Sequence, residues 1–429
     1  MASCSRPRPP TFCPGLTAPA LAAWLLLSAC AGASSDPADD ADGAAAGAGS
    51  GGAAGAESGG VAGARGGAGG VPRAGGAGGT SPGAGGQAGA GANAPVRAPQ
   101  GLMARPANPT CTAPDSEAAA PAKLSETGCF QPGDPRKPAA GLIPYGVTAA
   151  LWSDGADKRR WMALPDGAQI EVDPATGDFS FPNGTVLLKA FEMDGMPLET
   201  RFLVRLATGT WVAYTYVFNE AGTDATLLGR ESDYRFLERA GGTLEWTFPS
   251  RENCFACHTE GAGRSIGLEL AQLDGDFVYP GDKLSNQVDT LIAIGVLPSG
   301  VDRTQGFPAL DDPQASLDRR ARAYLHANCA HCHRPGQTKD VSLDLRYASP
   351  LANTNACGVA PAKNKYGIDE IKLIDPGAPE NSMVSFRMRS TVKNIRMPDL
   401  GTRVVDERAL MLVDDWISSL QSCAATPQP

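Results

Sequence analysis

Ser316-Leu-Asp-Arg-Arg-Ala-Arg-Ala-Tyr324-Leu-His-Ala-Asn-Cys329-Ala-His-Cys332-His333 reads as a helix that leads directly into a five-residue string. That string, Cys329-Ala-His-Cys332-His333, has the form C-x-x-C-H, and the form recurs at Cys254-Phe-Ala-Cys257-His258. With 11 Cys and 4 His among 429 residues, two such strings are not a chance of composition. C-x-x-C-H is the attachment sequence for c-type haem. Two thiols add across the two vinyl groups, and the histidine beside the second thiol lies under the iron as its proximal ligand. The expectation is two covalently bound haems with iron ligands at His258 and His333. A four-cysteine zinc site brings its pairs within about 15 to 20 residues of each other, and a redox dithiol needs one pair and no histidine. Neither describes this chain.

The last hundred residues read as a compact α-helical cytochrome c-like domain. Asp406 can cap a helix running to about Gln421, and Leu410, Val413, Trp416, Ile417 and Leu420 give it one apolar stripe at helical spacing. Just ahead stands Arg396-Met397-Pro398, and Met397 is the expected sixth ligand of the second haem. A thioether there raises the reduction potential and fills the coordination sphere, which suits electron transfer. No methionine lies between Met196 and Met383. The first haem's sixth ligand is therefore a distant residue (Met162, Met193, Met196, Met383 or Met388), His326, or nothing. His326 itself reads first as a solvated helix-surface histidine.

Between Leu124 and Ser250 the pattern favours strands. Phe179-Ser-Phe-Pro-Asn183-Gly184-Thr-Val-Leu-Leu-Lys carries an Asn-Gly turn signal between apolar residues. Arg201-Phe-Leu-Val-Arg-Leu and Gly209-Thr-Trp-Val-Ala-Tyr-Thr-Tyr-Val-Phe are two further runs joined by a short turn. A small sandwich or barrel is expected, with Trp152, Trp161, Trp211, Tyr214 and Tyr216 serving its core rather than a ligand surface. The fold class is thus multidomain α+β. A β-rich domain over 107–250 precedes a first haem-binding segment over 251–315 and the cytochrome c-like domain over 316–429.

Ahead of these lies Arg6, Arg8 and an apolar stretch from Leu16 ending in Leu27-Ser28-Ala29-Cys30. The pattern reads as a lipoprotein signal over 1–29, with Cys30 acylated and holding the protein to a membrane surface. Residues 30–106 are dominated by Gly and Ala and read as a disordered tether with a span of roughly 50 Å. A net charge of −9 argues against nucleic-acid binding. Cys111, Cys129, Cys357 and Cys423 remain, an even number suited to two disulfides in an oxidising compartment. Of the three pairings, Cys111–Cys129 with Cys357–Cys423 keeps each bridge within one domain.

The order of features resembles a family of poorly characterised bacterial dihaem c-type cytochromes. The likeness rests on Leu124-Ser-Glu-Thr-Gly128, Ile143-Pro-Tyr-Gly-Val, Leu151-Trp-Ser-Asp-Gly-Ala-Asp-Lys, Phe181-Pro-Asn-Gly-Thr-Val, Leu198-Glu-Thr-Arg, both C-x-x-C-H strings and Arg396-Met-Pro. It covers about Leu124 to Ser422. The resemblance implies two covalent haems with proximal ligands His258 and His333 and a methionine ligand at Met397. The expected function is electron transfer between periplasmic or cell-surface redox protein partners, from a lipid anchor on the outer membrane, where Ala31 after the acylated cysteine points. One alternative is a dihaem peroxidase with an open first iron and Glu260 or His326 beside it. Another is a β-domain binding module coupled to haem electron transfer.

Overall fold

Six short apolar runs pair in the order in which they leave the chain. In the computed structural model, which describes residues 101–303, 306–335, 337, 342–363 and 365–424, they form a six-stranded sheet. The strands are β1 (Ile143–Tyr145), β2 (Asp157–Ala163), β3 (Val186–Met193), β4 (Met196–Arg205), β5 (Trp211–Phe218) and β6 (Ala225–Leu227). Every neighbouring pair is antiparallel. The tight turn between β3 and β4 is Asp194-Gly195, with φ of 50° and 79°. Two successive left-handed residues match the twist of the flanking strands, and Asp and Gly tolerate that conformation best.

Asn183-Gly184 does not make the expected hairpin. Phe179–Ser180 pairs with Glu171–Val172, while Val186 begins a strand paired with β2 and β4. Pro182, which has no N–H to give a ladder, starts a turn there in which its carbonyl accepts from Thr185 N at 3.3 Å. The second expected hairpin forms: Arg205 pairs with Trp211, and Gly209 N donates to Leu206 O at 2.9 Å.

The sheet is open, neither sandwich nor barrel, since its strand order does not close on itself; beyond β6 there is only an isolated bridge from Thr226 to Lys123. Both faces are covered by loops, short helices and small two-stranded pieces outside the sheet. On one, Trp161, Leu188, Phe202, Tyr214 and Tyr216 pack with Leu124, Phe130 and the Cys111–Cys129 bridge. The two tyrosines donate to Glu117 O at 3.1 Å and Pro121 O at 2.9 Å, so their hydroxyls are satisfied inside the core. On the other face, Met162, Leu187, Leu203 and Ala213 meet Leu270 and Leu273 of helix 270–273 and Val288 and Leu291 of helix 287–293. Each Met, Leu or Val among them, withdrawn from water, contributes about 1.5–3 kcal/mol. A hairpin of β7 (Asp233–Arg239) and β8 (Gly242–Phe248) closes one end, with Trp246 edge-on to Phe191.

The C-terminal helices follow their expected signals. Leu317–Cys329 starts where Ser316 accepts a hydrogen bond from Arg319 N, and Glu407–Ser419 starts where Asp406 accepts from Ala409 N. Leu410, Val413, Trp416, Ile417 and Leu420 are all buried, and Trp416 Nε1 donates to Asp318 Oδ1 at 2.9 Å, fastening one helix to the other. Cys357 and Cys423 form the second disulfide. The bridges close loops of 18 and 66 positions. Chain-entropy scaling gives them about 3 and about 4 kcal/mol of stabilisation.

All described residues belong to one compact unit. Trp152 N donates to Asn328 Oδ1 at 2.7 Å, and the buried Asp154 carboxylate accepts from Arg403 N at 2.7 Å and Val404 N at 2.8 Å. These bonds bind the β-rich part to the helical part. Residues 101–106, placed at the end of the tether by sequence, lie on the folded body: Gly101 is buried, and Arg105 donates to the carbonyls of Ala168 and Pro165. The signal segment 1–29, Cys30 and the rest of the tether lie outside the described residues. No described helix is long and apolar enough to cross a membrane.

Candidate functional site

The first C-x-x-C-H string is carried by a seven-residue helix, Arg251–Cys257. Ser250 caps it, accepting from Asn253 N at 3.2 Å, and Pro249 O is held to the sheet by Thr215 Oγ1 at 3.0 Å. Helical spacing puts Cys254 and Cys257 on one face with His258 at the helix end. The chain then reverses through Gly263 and Arg264, both left-handed at φ of 68° and 63°. That reversal brings Arg264 O to 2.5 Å from His258 Nδ1, while Arg264 Nη1 returns a bond to His258 O at 2.9 Å. The carbonyl can only accept, so Nδ1 carries the proton and Nε2 keeps a free lone pair. Burial first, then Lys189, holds His258 down at about 3, so the ring is neutral and fit to ligate.

The second string begins at the last residue of its helix, and His333 N closes a turn on Cys329 O at 2.8 Å. Here the ring is not anchored: His333 Nδ1 is buried with no hydrogen-bond partner. Burial, then His331 and Arg387, push His333 down to about 4, and burial raises the Cys329 thiol to about 12. Met397 N donates to the carbonyl of that same Arg387 at 3.0 Å, which places the Met397 backbone beside a residue whose charge is felt at His333. Met397 and Met388 share the lining of a small cavity with Trp152, Tyr324 and Arg396.

The two strings, far apart in sequence, meet in space. The ligand atoms of Cys257, His331 and Cys332 lie within 4.8 Å of one another. Arg334 Nη1 reaches Gly261 O at 3.2 Å, and the Cys332 thiol faces Ala256 O at 3.8 Å. Cys254, Cys257, Cys329 and Cys332 are all free of disulfides. His331 lies inside the second string, between Cys329 and Cys332. It is buried, its Nδ1 has no partner, and it stands beside the first string.

His326 is neither solvated nor open. Its Nδ1 accepts from Tyr347 N at 2.9 Å, its Nε2 lies 2.9 Å from Glu269 Oε1, and its ring tilts against Phe307 at 4.8 Å. Both nitrogens are taken, so the surface reading is corrected and the free-ligand option loses its lone pair. Glu260 is exposed. Of the aromatic residues named from sequence, Trp161, Tyr214 and Tyr216 are core, and Trp152 is half-buried with its Nε1 on Val404 O at 2.9 Å. Trp211 instead lines an open groove of about 930 Å³ with Phe179, Phe181 and Phe255. The chain matches no family model, no curated protein and no solved structure.

Proposed function

We propose that the protein is an exported, lipid-anchored dihaem c-type cytochrome that passes electrons between redox protein partners. The observation that carries this reading is the state of the first string: two unpaired thiols on one helix face, beside a neutral imidazole whose Nδ1 is spent on Arg264 O. A c-type haem needs those three groups in that state. The second string offers the same groups, with an unpartnered Nδ1 on His333. Cys254, Cys257 and His258 would hold one haem, and Cys329, Cys332 and His333 the other, with Met397 the sixth ligand of the second. Bound there, the iron supplies a one-electron couple whose potential the ligands and burial tune. The protein's own part is to keep both imidazoles neutral and to hold the two sites on one body, so that exchange between them needs no encounter. Thioether formation adds S–H across a vinyl C=C and requires no external oxidant or reductant.

One observation favours a second reading. Cys257, His331 and Cys332 together form a soft Cys₂His set suited to zinc. The readings exclude each other, because a thiol spent on a thioether is no longer a thiolate ligand. Expression with a cytochrome c maturation system, followed by pyridine haemochrome assay and intact mass, separates them. Two haems per chain are expected. A haem-free chain holding stoichiometric zinc would overturn the dihaem reading.

A further inference from the structure

The register of the central sheet sets three basic residues side by side. Arg160 on β2 lies directly opposite Lys189 on β3, and Lys189 directly opposite Arg201 on β4. Tyr145 and Thr215 flank the row at its two ends. Lys158 stands one rung along on the same face. Like charges directly opposite on neighbouring strands repel, and a sheet that had nothing to put on them would have little reason to stack them.

The row is also enclosed. The rung on one side, Met162, Leu187 and Leu203, is core. The rung on the other holds Phe191, packed against Trp246 and Phe248. Arg201 is matched by Glu199, whose carboxylate it grips through Nε at 3.0 Å and Nη2 at 2.5 Å, and which also accepts from Trp246 Nε1 at 3.1 Å. Lys158, Arg160 and Lys189 form no ion pair among the described residues; Lys158 reaches only the carbonyls of Leu151 and Ala156. Burial, then the cations around it, pulls Lys189 down to about 7. Two to three positive charges are left partly desolvated and uncompensated.

Over this row lies the first C-x-x-C-H helix. Thr215 at the row's end donates to Pro249 O and so holds the helix entrance. Lys189 and Arg201 are both close enough to act on His258. A group attached at Cys254 and Cys257 and presenting carboxylates toward the sheet would meet these cations.

We propose that the Arg160–Lys189–Arg201 row, with Lys158 beside it, is the seat of the two propionates of the haem carried by Cys254 and Cys257. This rests on the dihaem reading and adds to it the polarity of the first haem: carboxylate edge on the sheet. The row neutralises that edge, and its positive charge disfavours the ferric state and so raises the potential of this haem alone.

The test uses the full chain matured with haem. Pyridine haemochrome comes first; a chain without covalent haem would bring down the dihaem reading itself. With two haems present, spectroelectrochemical titration of Lys189→Met, Arg160→Gln and the charge-keeping Lys189→Arg is compared with the parent. Lys189→Met is expected to lower one of the two potentials by about a tenfold change in its reduction equilibrium, 59 mV for one electron. The other potential stays put, and Lys189→Arg restores the parent value. Resonance Raman propionate-bending bands of one haem shift in the same variants. If both haems attach and neither potential nor the propionate bands move in Lys189→Met and Arg160→Gln, the proposal fails while the dihaem reading stands. Should Lys189→Met not mature, Lys189→Gln and Arg160→Gln carry the same decision.

Discussion

The same five-residue chemistry is mounted in two different ways in this molecule. The first string sits on a seven-residue helix laid against a sheet, its histidine locked by a backbone carbonyl. The second ends a thirteen-residue helix fastened to another helix, and its histidine Nδ1 has no partner. The motif fixes which atoms are present; the scaffold fixes which nitrogen is free, what charge surrounds it and where further ligands come from. The sheet gives the first site a row of cations. The helical part gives the second site a methionine-bearing loop tied to Arg387.

The comparison breaks most visibly at the thiols. Cys254→Ser with Cys257→Ser is expected to halve the haemochrome content, as is Cys329→Ser with Cys332→Ser; either pair abolishing both haems would mean that the sites are not independent. Met397→Leu should convert one low-spin electron paramagnetic resonance signal of the ferric protein to high spin and leave the other signal unchanged. A spectrum identical to the parent would remove Met397 from the ligand set. Trp416→Ala, at a side chain 1% exposed and bonded to Asp318, should cost about 3–5 kcal/mol in denaturant unfolding. Because bonds cross between the sheet and helical parts, the loss should appear in a single transition rather than in a separately melting C-terminal half. The smallest effect is expected at Asp154→Ala. It strips two amide donors of their acceptor, at about 1–3 kcal/mol, and should split that single transition if the junction is what couples the two parts.

Features set by neighbours in sequence were legible, and features set by distant pairing were not. The helix capped by Asp406 and the helix leading to Cys329 follow from local pattern, because a cap and a 3.6-residue stripe are complete within one segment. The Asn183-Gly184 hairpin failed because Pro182 removes a ladder donor beside it. The hairpin forms instead at Asp194-Gly195, an equally good signal between apolar runs. Whether the strands closed into a barrel depended on what covers the two faces, and those covers are loops, short helices and two-stranded pieces with little pattern of their own. His326 looked solvated because Glu269, its partner, lies 57 positions away. The basic row was hidden for the same reason: Arg160, Lys189 and Arg201 are scattered through three strands, and only the register assembles them. His331 carries no signal of its own inside the motif; only the fold shows it buried with a spare nitrogen beside the other string.

The Asp154 clamp has a consequence for timing. Its bonds to Arg403 and Val404 close chain separations of 249 and 250 positions. As the chain emerges N-terminus first, this clasp has to wait until nearly the whole polypeptide is out, and contacts of such long separation form late. Both thiol pairs emerge before Arg403 does. They pass the early life of the chain without the completed junction, which the last segment to arrive closes.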